Sequence, residues 1–127
     1  MKTVAMKTYV GQRFPDGCKV WVKKHTHKRP LRLRLDLFNH SPDGFNWGYS
    51  GSGPAQLALA ILADCLKIDD LAVRLHQPFK RKMIAGIDVD HWSMTESVVR
   101  DTLEAILKEG MEGVECVPIP AFPTPLP

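Results

Sequence analysis

The chain has 127 residues, of which 44% are hydrophobic and 24% are charged, with a formal net charge of +3. This composition is typical of a folded protein with one modest core and excludes a disordered chain. The longest apolar run, 57–63, is too short to cross a bilayer, so we expect no membrane partner. Three scattered cysteines and the absence of a signal-like apolar stretch in residues 1–7 favour a reducing, cytoplasmic location.

Period-two patterns in the first third of the chain predict strands. Residues 18–24 alternate, with valines on one face and Lys19, Trp21 and Lys23 on the other. A hairpin tip is expected near His25 and His27, and residues 31–37 alternate again, with four leucines on one face. With a short β-prone stretch at 7–10, these patterns predict an antiparallel sheet of about three strands with one dry and one solvated face.

A loop from 38 to 53 leads into the most apolar segment of the chain. Ser52 or Gly53 is expected to be the N-cap of a helix with Pro54 in its first turn. Because Asp64 is the only polar residue from 57 to 66, this helix should be buried on most sides and stand at the centre of the fold. We interpret the glycines before it as room for the loop to pass close to the helix.

The second half of the chain predicts further helices. Asp69 and Asp70 should end the first helix and begin the next segment, which reads either as a helix with a kink at Pro78 or as a short strand at 71–75. The spacing of Ser93 and Glu96 is that of a capping box before an amphipathic helix.

Together these patterns predict an α+β domain over residues 1–117, with an N-terminal antiparallel sheet packed on two or three helices. Residues 118–127 form a proline-rich tail that we expect to be extended or mobile.

The charge is unevenly distributed along the chain. Residues 1–35 carry ten lysines and arginines against one acid, whereas residues 86–127 carry two against eight acids. One interpretation is that a basic sheet and an acidic helix neutralise each other in the fold. The alternative is a basic face offered to nucleic acid or to an acidic protein.

The aromatic loop and the helix start that follows it are the first candidate binding surface. Phe45, Trp47 and Tyr49 would line a groove for another protein, and Ser52 and Gly53 could bind an anion or nucleotide at the helix N-terminus. The segment lacks the Gly-Lys-Ser/Thr ending of a Walker loop and the complete glycine pattern of a dinucleotide fingerprint.

The basic strands are the second candidate surface. A twisted ribbon with these charges could follow a phosphate backbone while an aromatic ring stacks on a base. The residues of this nucleic-acid hypothesis are Lys19, Trp21, Lys23, Lys24, Lys28, Arg29, Arg32 and Arg34.

No pattern predicts catalysis, a metal site or a cofactor. His25 and His27, or the residues from Asp88 to His91, could chelate an ion, but neither spacing is that of a known site. We expect the residues from Asp88 to His91 to form a polar turn and Cys65 to be a core residue.

The segments FNWGYSGSGPAQLALAIL, FKRKMIAGI and WSMTESVVRDTLEAIL resemble an uncharacterised family of small bacterial and phage proteins. Its mark is a Trp-Gly-Tyr-x-Gly-Ser-Gly-Pro segment followed by Leu-Ala-x-Ala-Ile-Leu, and the resemblance covers 38 to about 107. It implies no activity, cofactor or site residue, but it makes an accessory role on a mobile element plausible. The leading hypothesis is therefore a small non-catalytic binding protein whose partner is another protein, or a further copy of itself in an oligomer.

Overall fold

The structure, a computed structural model, describes residues 6–113 of the chain and the side chains of residues 6–109. The predicted tail at 118–127 lies outside the described residues. The fold is α+β, as the sequence predicts: an antiparallel sheet of four strands, one more than expected, and three helices. None of the described helices is long and apolar enough to span a membrane.

The sheet is built from three N-terminal strands and one strand from the second half of the chain. Strands β1 (Thr8–Phe14), β2 (Gly17–Lys24) and β3 (His27–Pro30) form consecutive hairpins. Strand β4 (His91–Thr95) pairs antiparallel with β1, so the strand order is β3-β2-β1-β4.

Strand β4 corrects two predictions. His91 is the first residue of this strand rather than the end of a polar turn, and Ser93 lies within the strand rather than capping a helix. The helix cap is Thr95, whose Oγ1 accepts a hydrogen bond from the Val98 N–H at 3.2 Å. In the structure Trp92 and Met94 are buried, His91 and Ser93 are exposed and Thr95 is half-buried, which is the alternation of a strand with one solvated face.

The alternating leucines at 31–37 are not a strand, so this prediction is wrong. The last bond that continues the ladder runs from the Leu31 N–H to the Val20 carbonyl at 3.0 Å. Pro30 has no N–H to donate, and Arg34 has a φ of 57°, a left-handed conformation that turns the chain. The Leu37 N–H then donates to the Arg34 carbonyl at 3.0 Å and closes a turn.

The central helix is as buried as the sequence predicts. Helix α1 (Ser52–Leu66) contains an unbroken buried run from Gly53 to Ala63, and Asp64 is half-buried. It contributes large aliphatic side chains to the core, each worth about 1.5–3 kcal/mol before conformational entropy is subtracted. Its N-cap is Gly51, one or two residues before the expected position, and Pro54 lies in the first turn.

Helix α1 packs into a core that also takes in the inner face of the sheet. The inner-face side chains are less than 10% exposed, and they are Tyr9, Val20, Val22, Trp92 and Met94.

The segment at 70–86, for which the sequence allows either a helix or a short strand, is helical as far as Ile84. Helix α2 (Asp69–Phe79) includes Pro78 and continues into a π-helical turn, Lys80–Ile84, closed by a 2.9 Å bond from the Ala85 N–H to the Lys80 carbonyl. A proline cannot donate to the carbonyl four residues earlier, and the hydrogen-bond spacing changes two residues after it. Helix α3 (Glu96–Gly113) follows β4 and buries Val99 and Leu103.

Candidate functional site

The sheet has an outer face that is open to solvent. Lys19, Trp21 and Lys23 of β2 share this face, as the alternation predicts, and Lys28 lies opposite Lys23 on β3. The Lys28 Nζ lies 4.5 Å from the centroid of the Trp21 ring, a cation–π contact. The ring of Phe14 meets Trp21 edge to face, with 6.3 Å between centroids.

The outer face carries cations but no carboxylate at any of its strand positions. None of Lys19, Lys23 and Lys28 forms a salt bridge with residues 6–109. The remaining outer-face strand residues are uncharged or histidine: Thr8, Val10, Gln12, Phe14, Gly17, Trp21, Pro30, His91, Ser93 and Thr95. The face is therefore positive, and it carries the two aromatic rings of Phe14 and Trp21.

Among the side chains of residues 6–109, the acidic helix does not pair with these cations. Within the described side chains, the one salt bridge of α3 joins Glu109 to Lys82 at 2.7 Å. The expected neutralisation of the basic strands by an acidic helix is therefore absent from the ion pairs of residues 6–109.

The other members of the predicted nucleic-acid set lie elsewhere. Arg29 points to the inner side and donates to Asp64 at 2.7 Å. Arg34 donates twice to Asp36 at 3.0 Å and once to Asp69 at 3.1 Å, and these hydrogen bonds raise its pKa. Lys24, at the end of β2, and Arg32, after β3, are exposed. The structure thus brings together four residues of the set, Lys19, Trp21, Lys23 and Lys28.

A separate cleft lies between the β1–β2 turn and the loop before α1. It has a volume of about 470 Å³, and it brings together four predicted site residues with the strand residues Arg13 and Lys19. The four predicted residues are Phe45, Tyr49, Ser52 and Gly53. Tyr49 is 48% exposed, so its ring is available to a partner.

Trp47 does not line this cleft. Its side chain is 1% exposed, its Nε1 donates to the Val89 carbonyl at 2.9 Å, and its ring meets Trp92 edge to face at 5.3 Å. The expected groove of three aromatics therefore contains Phe45 and Tyr49, and Trp47 is a core residue.

The glycines at the start of α1 provide close packing. A Cβ at Gly53 would lie 2.6 Å from the Asn46 Cβ, and a Cβ at Gly51 would lie 2.5 Å from the Tyr49 ring. Both distances are shorter than real Cβ contacts, which confirms that these glycines let the loop approach the helix. Tyr49 thus occupies part of the space in front of the first helical amides, where the anion hypothesis places its ligand.

Four side chains with groups capable of chemistry are engaged in structural contacts. The Ser41 Oγ donates to the Gly44 carbonyl at 2.7 Å, and the Nε2 atoms of His40 and His76 lie 2.9 Å apart. Burial raises the pKa of the Cys65 thiol, which packs in the core as expected. In the part of the chain that the structure describes, no three His, Cys, Asp or Glu side chains cluster as metal ligands would.

Three polar residues to which the sequence analysis assigns no role have central places in the structure. Gln56 is fully buried: it accepts from the His40 and Ser41 N–H groups and donates to two loop carbonyls, all within 3.0 Å. Asp64 joins α1 to the strands, and Arg13 bonds Asp90 and Asn46. The sequence does give one indication for Gln56 and Asp64, because each is a polar residue in an otherwise apolar helix. A polar group that is buried there must form hydrogen bonds, so both residues could have been predicted to make structural contacts.

Comparison with known proteins gives a family and no activity. Searches of curated proteins and of solved structures each found no match. A family model described as a family of unknown function matches residues 9–105, which include all four strands except Thr8, and most of the three helices. This agrees with the resemblance to an uncharacterised family, although it does not show the Trp-Gly-Tyr motif. The chain therefore belongs to the family of unknown function DUF6166.

Proposed function

We propose that this protein is a non-catalytic accessory protein that binds single-stranded nucleic acid on the outer face of its sheet. The observation that carries the proposal is the arrangement of Lys19, Lys23 and Lys28 around Trp21 on a face whose strand positions lack carboxylates. Lysines that form no internal ion pair can neutralise phosphates and release their counterions. An aromatic ring among them offers a stacking platform for a base.

The Lys28–Trp21 contact indicates how a nucleotide would bind. A base that stacks on the indole takes the place of the ammonium group, which now lies 4.5 Å from the ring centroid. The displaced ammonium then stays within reach of the phosphate of the same nucleotide. A single strand is favoured over a duplex, because the faces of duplex bases are already stacked on each other.

An accessory role on a mobile element is part of this proposal. It rests on the resemblance of the 38–107 segment to small bacterial and phage proteins. A small nucleic-acid-binding protein without catalytic groups fits such a role.

The test is the binding of a labelled single-stranded oligonucleotide, followed by fluorescence anisotropy over a series of salt concentrations. We expect affinity to fall steeply with added salt, and the triple variant K19Q/K23Q/K28Q to lose about 0.7 of the log–log salt slope for each phosphate contact removed. Trp21→Ala should lower the affinity by about 1–3 kcal/mol and leave the slope unchanged, because stacking involves no counterion.

The matched control removes three positive charges from the helices. R74Q/R81Q/K108Q changes exposed residues that form no salt bridge with residues 6–109. It should retain most of the affinity. Absence of binding at low salt, or an equal loss in both triple variants, would contradict the proposal.

A second candidate function uses the cleft. Its exposed Tyr49 ring, the half-buried Phe45 and a mixture of basic and acidic groups suit a segment of a partner protein better than a nucleic acid. Co-purification of a partner that survives nuclease treatment, that is lost in Tyr49→Ala and that is retained in K23Q/K28Q would support it. Retention of the partner by Tyr49→Ala would contradict it.

A further inference from the structure

A second concentration of positive charge lies on the inner side of the edge strand β3. A cavity of about 430 Å³ opens there between the β2–β3 hairpin and the end of α1, and we call it the β3-edge cavity. Val22, which is buried, forms part of its wall, and the two hairpin histidines flank it. Its cationic lining residues are Lys7, Lys24, Lys28, Arg29 and Lys67.

The cavity has more cations than its surroundings neutralise. Lys7 and Arg29 share the carboxylate of Asp64, at 3.0 and 2.7 Å. Lys24, Lys28 and Lys67 form no salt bridge with residues 6–109, and no carboxylate lines the cavity. An anion that enters this space therefore meets the ammonium groups of Lys24 and Lys67, which have no counter-charges there, beside a Lys7–Asp64–Arg29 group whose net charge is +1.

The backbone fixes the positions from which these cations extend. Lys67 is the C-cap of α1 in a left-handed conformation with φ of 61°, and its N–H donates to the Ala63 carbonyl at 3.1 Å. Lys24 ends β2 directly before His25, which is also left-handed with φ of 59°. Because the backbone is already ordered at both positions, binding a ligand has to order the side-chain rotamers but not the backbone.

The cavity adjoins the outer face of the sheet. Lys28 lies over the Trp21 ring on the outer face and also lines the cavity. A strand that follows the lysines of the outer face toward β3 therefore reaches the cavity at Lys28 without leaving positive surface.

We infer that the β3-edge cavity is a phosphate-binding subsite, which receives a phosphate of the nucleic-acid strand bound on the outer face. The inference rests on the proposed function for the identity of the strand. The phosphate binds Lys24 and Lys67 inside the cavity and Lys28 at its rim. Lys7 and Arg29 keep their bonds to Asp64 and hold the wall in place.

The first arm of the test measures oligonucleotide binding to the full chain. K24Q/K67Q removes two cavity charges, and R74Q/K108Q removes two exposed helix charges as the matched control. We expect the cavity variant to lose about tenfold in affinity and a salt slope of about 0.7 for the one phosphate released. Quenching of Trp21 fluorescence at saturation should persist, because the outer face is unchanged.

The second arm uses inorganic phosphate at constant ionic strength. Phosphate should raise the melting temperature of the wild-type protein and of K19Q/K23Q, but not that of K24Q/K67Q, because a ligand that binds only the folded state stabilises it. This arm requires no nucleic acid and no change to the Asp64 contacts.

The outcomes separate the two proposals. If the wild-type protein binds no oligonucleotide, the proposed function fails, and so does the link between strand and cavity. If phosphate stabilises K24Q/K67Q as much as the wild type, the cavity inference fails while strand binding stands. If K24Q/K67Q and R74Q/K108Q bind the oligonucleotide equally and only the phosphate response is lost, the cavity binds free phosphate and its link to the strand is overturned.

Discussion

Gly53 shows how closely single residues are constrained where the loop before α1 meets the helix. A Cβ at this position would lie 2.6 Å from the Asn46 Cβ and 3.3 Å from the Asn46 backbone nitrogen. We expect Gly53→Ala to destabilise the protein by about 1–3 kcal/mol, because the loop must move to relieve the overlap. Denaturant unfolding followed by circular dichroism measures the change in the free energy of unfolding.

Gly86→Ala is the control for this prediction. A Cβ at Gly86 meets no atom within 4 Å, and its φ lies outside the left-handed range. The control should be neutral or stabilising by up to about 1 kcal/mol. Because alanine is the better helix former, a gain of stability in Gly53→Ala would show that the contact with Asn46 is not tight.

The His40–His76 pair makes stability depend on pH. His76 is buried and its Nδ1 donates to the Val73 carbonyl at 2.6 Å, so its Nε2 accepts from the His40 Nε2–H. Burial lowers the pKa of both histidines, and the nearby Lys80 ammonium lowers the pKa further. A proton added to the His76 Nε2 would place two N–H groups against each other.

The sign of the pH effect follows from these directions. An unfolded histidine titrates near pH ~6.5, and because the folded pKa values are lower, the unfolded chain binds more protons below that pH. Stability should be complete above pH ~6.5 and fall as the pH drops toward the folded pKa values. Unfolding experiments from pH ~8 to pH ~5 measure the decrease, above the range in which ordinary carboxyl groups titrate.

Two variants identify the histidines responsible. His40→Gln keeps an N–H donor toward His76 and should reduce the decrease, since one titrating group is gone. His25→Gln changes an exposed residue of the hairpin turn and should leave the decrease as it is. An equal effect of the two substitutions would assign the pH dependence to other groups.

At the scale of elements, Asp64 attaches α1 to the strands. It accepts from the Lys7 Nζ at 3.0 Å, the Tyr9 hydroxyl at 2.8 Å and Arg29 at 2.7 Å. Burial raises the pKa of this carboxyl, the three hydrogen bonds lower it, and the net direction is downward. The Lys7 side chain is 11% exposed, so it depends on this counter-charge.

Asp64→Asn should therefore destabilise the protein by about 3 kcal/mol, because it leaves the largely buried Lys7 ammonium without its charge partner. Chemical denaturation measures the loss at neutral pH. Asp90→Asn is the control: its carboxylate is 78% exposed and pairs with Arg13, so its loss should cost about 1 kcal/mol or less. Equal costs for the two substitutions would show that the Asp64 contacts add no stability beyond a surface pair.

The same scale explains which elements the sequence predicts. The sequence predicts β2 and α1 because the pattern of apolar residues in each matches the burial of its side chains. β2 alternates as a strand with one solvated face does, and α1 has the continuous apolar run of a central helix. Residues 31–37 alternate equally well, but Pro30 removes a donor and Arg34 turns the chain. β4 is a strand because it pairs with the edge of β1, which lies more than 75 residues away in sequence. The local sequence of β4 does not reveal that this edge is available.

At the scale of the whole molecule, the core is contained in the segment that the family model matches. The buried hydrophobic residues of the described chain run from Tyr9 to Leu103, and the match covers 9–105. We propose that residues 118–127 are not needed for this core. A chain of residues 1–117 should melt within about 3 °C of the full chain, because changes away from the core alter the free energy of unfolding only slightly. A larger drop in a calorimetric scan would show that the proline-rich segment contributes to stability.

The sequence by itself determined the class of the fold, strand β2 and the turn after it at His25, the burial of α1 and the close packing of its glycines. These features depend on local periodicity and on residue size, and both can be seen in a short stretch of sequence. The tertiary structure decided that Trp47 belongs to the core, that Arg29 and Arg34 pair with carboxylates, and that Lys19, Lys23 and Lys28 stay without salt bridges among the described residues. The physical reason is that burial and charge pairing depend on which distant segments meet, and a linear pattern does not contain that information.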